Sequence, residues 1–268
     1  MALKYSFASI CRIGARLVNQ DRVGHRAADA AVLIVVADGM GGHPRGELAA
    51  QIAVDQLIED FTEQARPRLA RPAVFLVGAF RRAHSAISRV ARDMGIREAP
   101  RAVLVACVLQ DGAATFLHAG DARLYLLRRG SIVLRSRDDS FVQRLIDTGR
   151  MDEEFAAVHP DRNIVLKCVG GGEVLRLRRP TRIQLEADDI VMLCSDGFWG
   201  PLIPDEIAKG LRGENLEAEL NVLARRAEKR TGAQCDNVSV AAVRWEEPAR
   251  RARGRRAAAP AEDLPTES

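Results

Sequence analysis

The amino-acid sequence predicts an α+β fold in which two antiparallel sheets are flanked by helices. Strand-like segments rich in Val, Ile and Leu arrive in runs, and two long helical segments interrupt these runs as a pair. Alternating βαβ units would instead place a helix after each strand. Apolar helix stripes could cover the outer faces of two sheets in an α-β-β-α stack, although periodicity alone leaves that layering open.

The predicted strands are short apolar runs bounded by Gly or Asp. They are Tyr5–Cys11, Val32–Ala37, Ala102–Leu109, Ala114–His118, Arg123–Leu127, Ile132–Leu134, Glu173–Arg178, Ile190–Cys194 and Asn237–Val243.

The predicted helices are recognised by apolar residues at helical spacing. The first follows Gly46 and has its stripe at Ala50, Val54, Leu57, Ile58 and Phe61. The second follows Pro72 and has its stripe at Phe80, Ala83, Ile87, Val90 and Met94. Later helices are predicted over Ser140–Thr148, Asp205–Leu211 and Glu214–Lys229.

Length and charge predict one domain, residues 1–246, followed by a flexible tail, residues 247–268, rich in Arg, Ala and Pro. The net charge is +4, and from Arg250 onward five arginines outweigh three acidic residues. The domain itself is therefore nearly neutral. This balance argues against a nucleic-acid partner, although a basic tail that touches acidic partners or lipid remains the alternative to a solvated one.

The hydropathy pattern contains no stretch of membrane-spanning length. The apolar run from Ala30 to Ala37 has the length of a strand and ends at Asp38. The first residues lack the apolar stretch and cleavage site of an export signal, so we expect a cytoplasmic protein. We also expect it to be a monomer. Five scattered cysteines, without a CxxC pair, are predicted to be reduced core residues.

Four aspartates each lie at the end of an apolar strand: Asp38, Asp121, Asp196 and Asp236. Strand ends from different parts of a sheet can converge, and carboxylate oxygens are the ligands that hard divalent cations prefer. A single Asp-Gly pair more often marks an ordinary turn. The sequence has no GxxxxGK[ST] loop, GxSxG elbow, HExxH helix or cysteine-phosphatase loop, so other phosphate chemistries are disfavoured.

Seven segments between Arg16 and Arg244 resemble, in order, the motifs of bacterial metal-dependent protein serine/threonine phosphatases, also called type 2C. They are RLVNQD, VVADGMGGHPRGELAA, LHAGDARLYLLRRG, DDSFVQRLIDTGRM, HPDRNIVLKCVGG, LCSDGFWGPL and CDNVSVAAV. The resemblance implies the four-layer α-β-β-α sandwich and the hydrolysis of phosphoserine and phosphothreonine esters on proteins. Its partners would be phosphorylated protein substrates and a cognate serine/threonine kinase.

The resemblance also implies roles for individual residues around two core Mg²⁺ or Mn²⁺ ions and a third, weaker one. Asp38 would bridge the core ions, the carbonyl of Gly39 would bind one of them, and Arg16 would grip the substrate phosphate. Asp196 and Asp236 would complete the second ion, and Asp121 would join Asp196 at the third. The positions that would support these ligands are Gln20, Asp21, His43 and Asn237.

Gln20 departs from the family pattern, because it stands where the motif has a glutamate. Its neutral amide is expected to weaken ion binding. The departure motivates an alternative function, a catalytically weakened pseudophosphatase that binds phosphoproteins as a regulator. Ser195 lies beside Asp196, but no paired base is evident for it, so we expect a buried hydrogen-bonding serine rather than a nucleophile.

Overall fold

The structure of the protein is a computed structural model, and it describes residues 3–40 and 45–246. Its strands are β1 (Lys4–Arg12), β2 (Asp21–Ala28), β3 (Ala31–Gly39), β4 (Arg101–Gln110), β5 (Ala113–Ala119), β6 (Arg123–Arg128), β7 (Ser131–Arg135), β8 (Val169–Gly170), β9 (Thr181–Gln184), β10 (Ile190–Cys194) and β11 (Val238–Glu246). Its α-helices are α1 (Gly46–Gln64), α2 (Pro72–Asp93), α3 (Phe141–Asp147), α4 (Asp196–Trp199), α5 (Pro204–Gly210) and α6 (Leu216–Thr231). Short 3₁₀ turns span Glu153–Val158 and Gly232–Gln234.

The strands form two antiparallel sheets. The first sheet has the order β1-β11-β10-β6-β7, and the second has the order β2-β3-β4-β5-β9, with β8 paired to the start of β4. Helices α1 and α2 cover the second sheet, while α5 and α6 cover the first. The predicted α+β fold and its four-layer α-β-β-α sandwich are therefore confirmed.

Strand β3 shows how the layers arise from an apolar run. All seven residues from Ala31 to Ala37 are fully buried. Successive side chains point to opposite faces of the sheet, so both faces of this strand are covered. Leu33 and Val35 pack into the core beneath the helices, whereas Ile34 and Val36 pack into the core between the sheets. A strand buried on both faces requires such an uninterrupted apolar sequence.

The predicted strand Glu173–Arg178 is wrong, since no ladder forms there and residues 173–180 have no regular secondary structure. The apparent alternation has another cause: Leu175 and Leu177 are partly buried against the core beneath α1 and α2. Strand β2, which the sequence did not reveal, is an edge strand with Arg, His and Gly in its sequence. Edge strands with one exposed side lack the apolar run that marks β3.

Two smaller predictions about burial also need correction. Met94 does not continue the buried stripe of α2, because it follows the end of the helix and is half exposed. The cysteines are free thiols, and Cys107, Cys194 and Cys235 are buried as expected, but Cys11 is exposed.

No helix in the ranges 3–40 and 45–246 has the length and apolarity needed to cross a membrane. The predicted tail lies outside the described residues.

Candidate metal centre

The acidic residues meet at one end of the sandwich because each lies where a strand begins or ends. Asp21 opens β2 and is the register partner of Asp38 near the end of the neighbouring β3. Asp121 lies between β5 and β6, Asp196 follows β10 as the first residue of α4, and Asp236 precedes β11. The second sheet thus brings Asp21 and Asp38 toward Asp196 and Asp236 of the first.

The burial and mutual repulsion of these carboxyl groups change their pKa values. The pKa of Asp38 lies well above its ordinary value because the group is desolvated and faces the charges of Asp21, Asp196, Asp121 and Asp236. Burial and the charge of Asp236 likewise raise the pKa of Asp196. Asp38 of the second sheet therefore lies within electrostatic range of the other strand-end aspartates.

Desolvation also dominates at the two flanking carboxyl groups. It raises the pKa of Asp121 to about 8, with the charge of Asp196 adding to the effect. It raises the pKa of Asp21 to about 7, while the hydrogen bond that Ser195 donates acts in the opposite direction. Such a cluster needs either protons or cations to offset its mutual repulsion.

The donor chemistry of the cluster, rather than its arrangement in this structure, suits a hard divalent cation. Its side-chain donors are carboxylate oxygens, and Oδ1 of Asp21 is buried without a hydrogen-bond partner. Among the residues that the structure describes, no group of three or more His, Cys, Asp or Glu side chains is placed so that it could hold a metal ion.

Gly39 brings α1 close to the end of β3. A side chain on Gly39 would place its Cβ 2.3 Å from the carbonyl of Gly46, so only glycine allows the first turn of α1 to pack here. Gln20 lies at the same junction: its Nε2 donates to Oε2 of Glu47 at 3.4 Å, and it would be 2.7 Å from a Cβ on Gly46. Position 20 therefore borders the Gly39 backbone, whose carbonyl is a metal ligand according to the family resemblance.

Arg16 reaches the centre through Asp236. Its Nη2 donates to Oδ2 of Asp236 at 2.7 Å, and about half of each side chain is exposed. The hydrogen bond with Asp236 is the main reason that the pKa of Arg16 is raised. Since the guanidinium has further donors, it can hold Asp236 and still present N–H groups to an anion from solvent.

Asn237 has a positioning role that its sequence motif did not reveal. Its Oδ1 accepts a hydrogen bond from the backbone N–H of Gln20 at 2.7 Å. Its Nδ2 donates to the carbonyl oxygens of Ile13 and Val18, at 2.8 and 3.2 Å. The buried Asn237 thereby joins the start of β11 to the segment that carries Arg16.

Trp199 is a second residue whose position only the fold reveals. Its Nε1 donates to the backbone carbonyl of Asp121 at 3.0 Å, and the Arg123 guanidinium lies 3.3 Å from the centre of its ring. Asp138 holds Arg123 through two hydrogen bonds of 2.9 and 2.8 Å. These contacts fix the backbone at Asp121, and sequence spacing gives no sign of them.

The remaining candidates have clear placements. Ser195 is fully buried and donates from Oγ to Oδ2 of Asp21 at 2.8 Å, which confirms the prediction of a hydrogen-bonding serine. His43 lies outside the described residues. The other candidates are linked to one another by electrostatic interactions or hydrogen bonds. They are Asp38, Asp121, Asp196, Asp236, Asp21, Gln20, Asn237 and Arg16.

The fold and the site together define a class: two-sheet sandwiches, flanked by helices, with a carboxylate cluster at one end of both sheets. The chain belongs to the protein phosphatase 2C family, because the model of that family matches residues 12–235. This match includes most of the domain that the sequence predicts.

Individual relatives agree with this assignment. The serine/threonine protein phosphatase PstP of Mycobacterium tuberculosis is 34% identical over 78% of this chain, but the match spans only 39% of PstP itself. Protein phosphatase PhpP of Streptococcus pneumoniae is 28% identical over 87% of this chain and 94% of its own length. A crystal structure of the PstP catalytic domain in complex with two manganese ions is 28% identical, with a TM-score of 0.77, and covers 92% of this chain and all of that one.

Proposed function

We propose that the protein hydrolyses phosphoserine and phosphothreonine esters on proteins at a centre containing Mg²⁺ or Mn²⁺. The observation that carries this proposal is the acidic cluster itself: carboxylates from both sheets repel one another at a site bordered by Arg16. Family membership and the manganese ions of the PstP structure support the choice of metal and reaction.

The residues have distinct parts in holding the ions. Asp38 and the Gly39 carbonyl would hold one core ion, Asp38, Asp196 and Asp236 would hold the second, and Asp121 with Asp196 would hold a third. When bound, the ions supply Lewis-acid chemistry, which activates water for in-line attack on phosphorus and offsets the charge of the phosphate.

Arg16 would orient the substrate. Its planar guanidinium can donate to two phosphate oxygens, and its hydrogen bond to Asp236 fixes it at the edge of the cluster. Asn237 and Ser195 do not touch the substrate in this proposal. They hold the segment around Arg16 and the carboxylate of Asp21 in place.

The wider setting is also part of the proposal. Substrates would be proteins phosphorylated by a cognate serine/threonine kinase, and the phosphatase would oppose that kinase in the cytoplasm as a monomer. The match to PstP covers less than half of that relative, so the setting is inferred from the phosphatase domain alone.

A metal-dependence assay on a phosphothreonine peptide tests the function directly. We expect phosphate release with Mn²⁺ or Mg²⁺, its loss with a chelator, and its recovery when the metal is restored in excess. A thermal melt with and without metal should show a higher melting temperature in the loaded protein, because a ligand that binds the folded state stabilises it. Metal binding without phosphate release would favour the pseudophosphatase.

Gln20→Glu should lower the Mn²⁺ concentration needed for half-maximal activity by roughly tenfold, the scale at which groups around metal ligands act. The added carboxylate would border Gly39 and lie beside Glu47, so we also expect a lower melting temperature without metal and its recovery with Mn²⁺. The measurements are a metal titration of phosphopeptide hydrolysis and a thermal melt.

Gln64→Glu provides the matched control, since it adds the same charge at the opposite, exposed end of α1. Equal metal titrations for Gln20→Glu and the unmodified protein would show that position 20 does not influence the ions. If the chain is a pseudophosphatase that lost catalysis elsewhere, Gln20→Glu would restore no activity.

A further inference from the structure

The segment that carries Arg16 exposes aliphatic side chains on both sides of it. We call residues 13–18 the arginine loop. Leu17 is 98% exposed, Val18 53% and Ile13 44%. Aliphatic side chains gain free energy when they leave water, so three of them within six residues at the edge of a polar centre suggest a contact surface.

The arginine loop is fixed rather than loosely attached. Asn237 donates to the carbonyls of both Ile13 and Val18, and the N–H of Ala15 donates to the Cys235 carbonyl at 3.0 Å. Gly14 has a φ of +62°, and a Cβ there would lie 2.1 Å from the carbonyl oxygen of Asp236. The loop is therefore packed against the residues that lead into β11.

A fixed loop gives its exposed side chains a defined place relative to the centre. Arg16 is tied to Asp236, and the next two residues are Leu17 and Val18. Holding exposed aliphatic groups in one position costs little entropy on binding, because the backbone is already ordered. Such positions suit recognition better than positions on a mobile loop.

We propose that Leu17 and Val18 contact aliphatic side chains next to the phosphorylated residue of the substrate. The substrate class is then phosphoproteins with a Leu, Ile or Val within about three residues of the phosphoserine or phosphothreonine, since an extended chain advances about 3.3 Å per residue. This inference rests on the proposed function, because it assumes that Arg16 holds the phosphate.

Continuity with the phosphate contact is the reason for choosing a substrate peptide as the occupant. A peptide whose phosphate meets Arg16 must pass over the neighbouring surface, and Leu17 directly follows Arg16 in the chain. A second copy of this protein could also cover an aliphatic patch. That alternative does not involve Arg16, and measuring dimerisation by sedimentation distinguishes it from substrate binding.

The test compares two phosphothreonine peptides that differ only at the residues flanking the phosphothreonine, leucine in one and serine in the other. For the unmodified protein with Mn²⁺, we expect kcat/KM to favour the leucine peptide by about tenfold, the effect of burying one aliphatic side chain. Leu17→Ser should reduce this ratio toward one. Val74→Ser is the matched control, because Val74 is an exposed aliphatic residue in the first turn of α2.

Non-hydrolysable phosphonate analogues of both peptides give a second readout by fluorescence anisotropy. The same preference in binding, lost in Leu17→Ser, would support the inference even if turnover were absent and the proposed function had failed. Equal kcat/KM values and equal binding in the unmodified protein would overturn it. A Leu17→Ser variant that weakens both peptides equally, or that only abolishes a dimer seen by sedimentation, would also overturn it.

Discussion

Replacing Asp38 with asparagine should lower metal-dependent phosphopeptide hydrolysis by at least ~100-fold, and Asp196→Asn should do the same. Several kcal/mol of transition-state stabilisation depend on bound ions, and each 1.36 kcal/mol corresponds to a tenfold change in rate. Asp38 faces the charges of four other carboxyl groups, so its substitution alters the whole cluster. The measurement is kcat/KM for a phosphothreonine peptide at saturating Mn²⁺.

The same variants should fold normally and melt no lower than the unmodified protein when metal is absent. Without ions, burial and neighbouring carboxylates oppose the charge on Asp38 and raise its pKa, so a neutral asparagine removes a repulsion rather than a favourable contact. The stabilisation by Mn²⁺, however, should largely disappear, because it depends on binding to the folded state. Activity and metal-induced stabilisation should therefore be lost together.

Asp188→Asn is the matched control. Asp188 is exposed, and its φ of +66° is one that asparagine adopts readily. It precedes β10, whereas Asp196 follows that strand, so the two aspartates lie at opposite ends of it. Substantial activity in both Asp38→Asn and Asp196→Asn would contradict the metal centre, and a lower melting temperature in the metal-free variants would show that the cluster is structural.

The parts of the fold that the sequence predicted are those dominated by burial. Strand β3 lies between two cores, and its uninterrupted apolar run is typical of a strand that is buried on both faces. The stripes of α1 and α2 likewise identify both helices. The sequence analysis did not predict edge strand β2, and it wrongly predicted a strand around Leu175. The structure of both segments depends on their packing partners in the fold.

The candidate site also has parts that the sequence predicts and parts that only the structure reveals. The strand-end aspartates were predictable, since a carboxylate after an apolar run is visible in the sequence itself. The positioning contacts were not, because they join residues far apart: Asn237 reaches Ile13 and Val18, while Trp199 reaches the backbone of Asp121. Hydrogen bonds of this kind follow from how the two sheets pack, which no local pattern records.

Replacing Arg16 with lysine should reduce kcat/KM for a phosphothreonine peptide by roughly 10- to 100-fold while leaving the metal requirement nearly unchanged. Lysine keeps the positive charge but lacks the planar fork that can contact two phosphate oxygens. Arg16 already uses one nitrogen, Nη2, on Asp236, and a single ammonium could not reproduce both contacts. The loss should therefore appear mainly as a higher KM and weaker inhibition by inorganic phosphate.

Arg129→Lys is the matched control for this change, because Arg129 is an 87% exposed arginine in the turn between β6 and β7. Steady-state kinetics with the phosphopeptide, phosphate inhibition and a Mn²⁺ titration should be measured for both variants. Full activity in Arg16→Lys would show that charge alone is sufficient at this position. A large rise in the Mn²⁺ requirement would instead mean that Arg16 acts by holding Asp236 in place for the ions, and the assignment of Arg16 to the phosphate would be wrong.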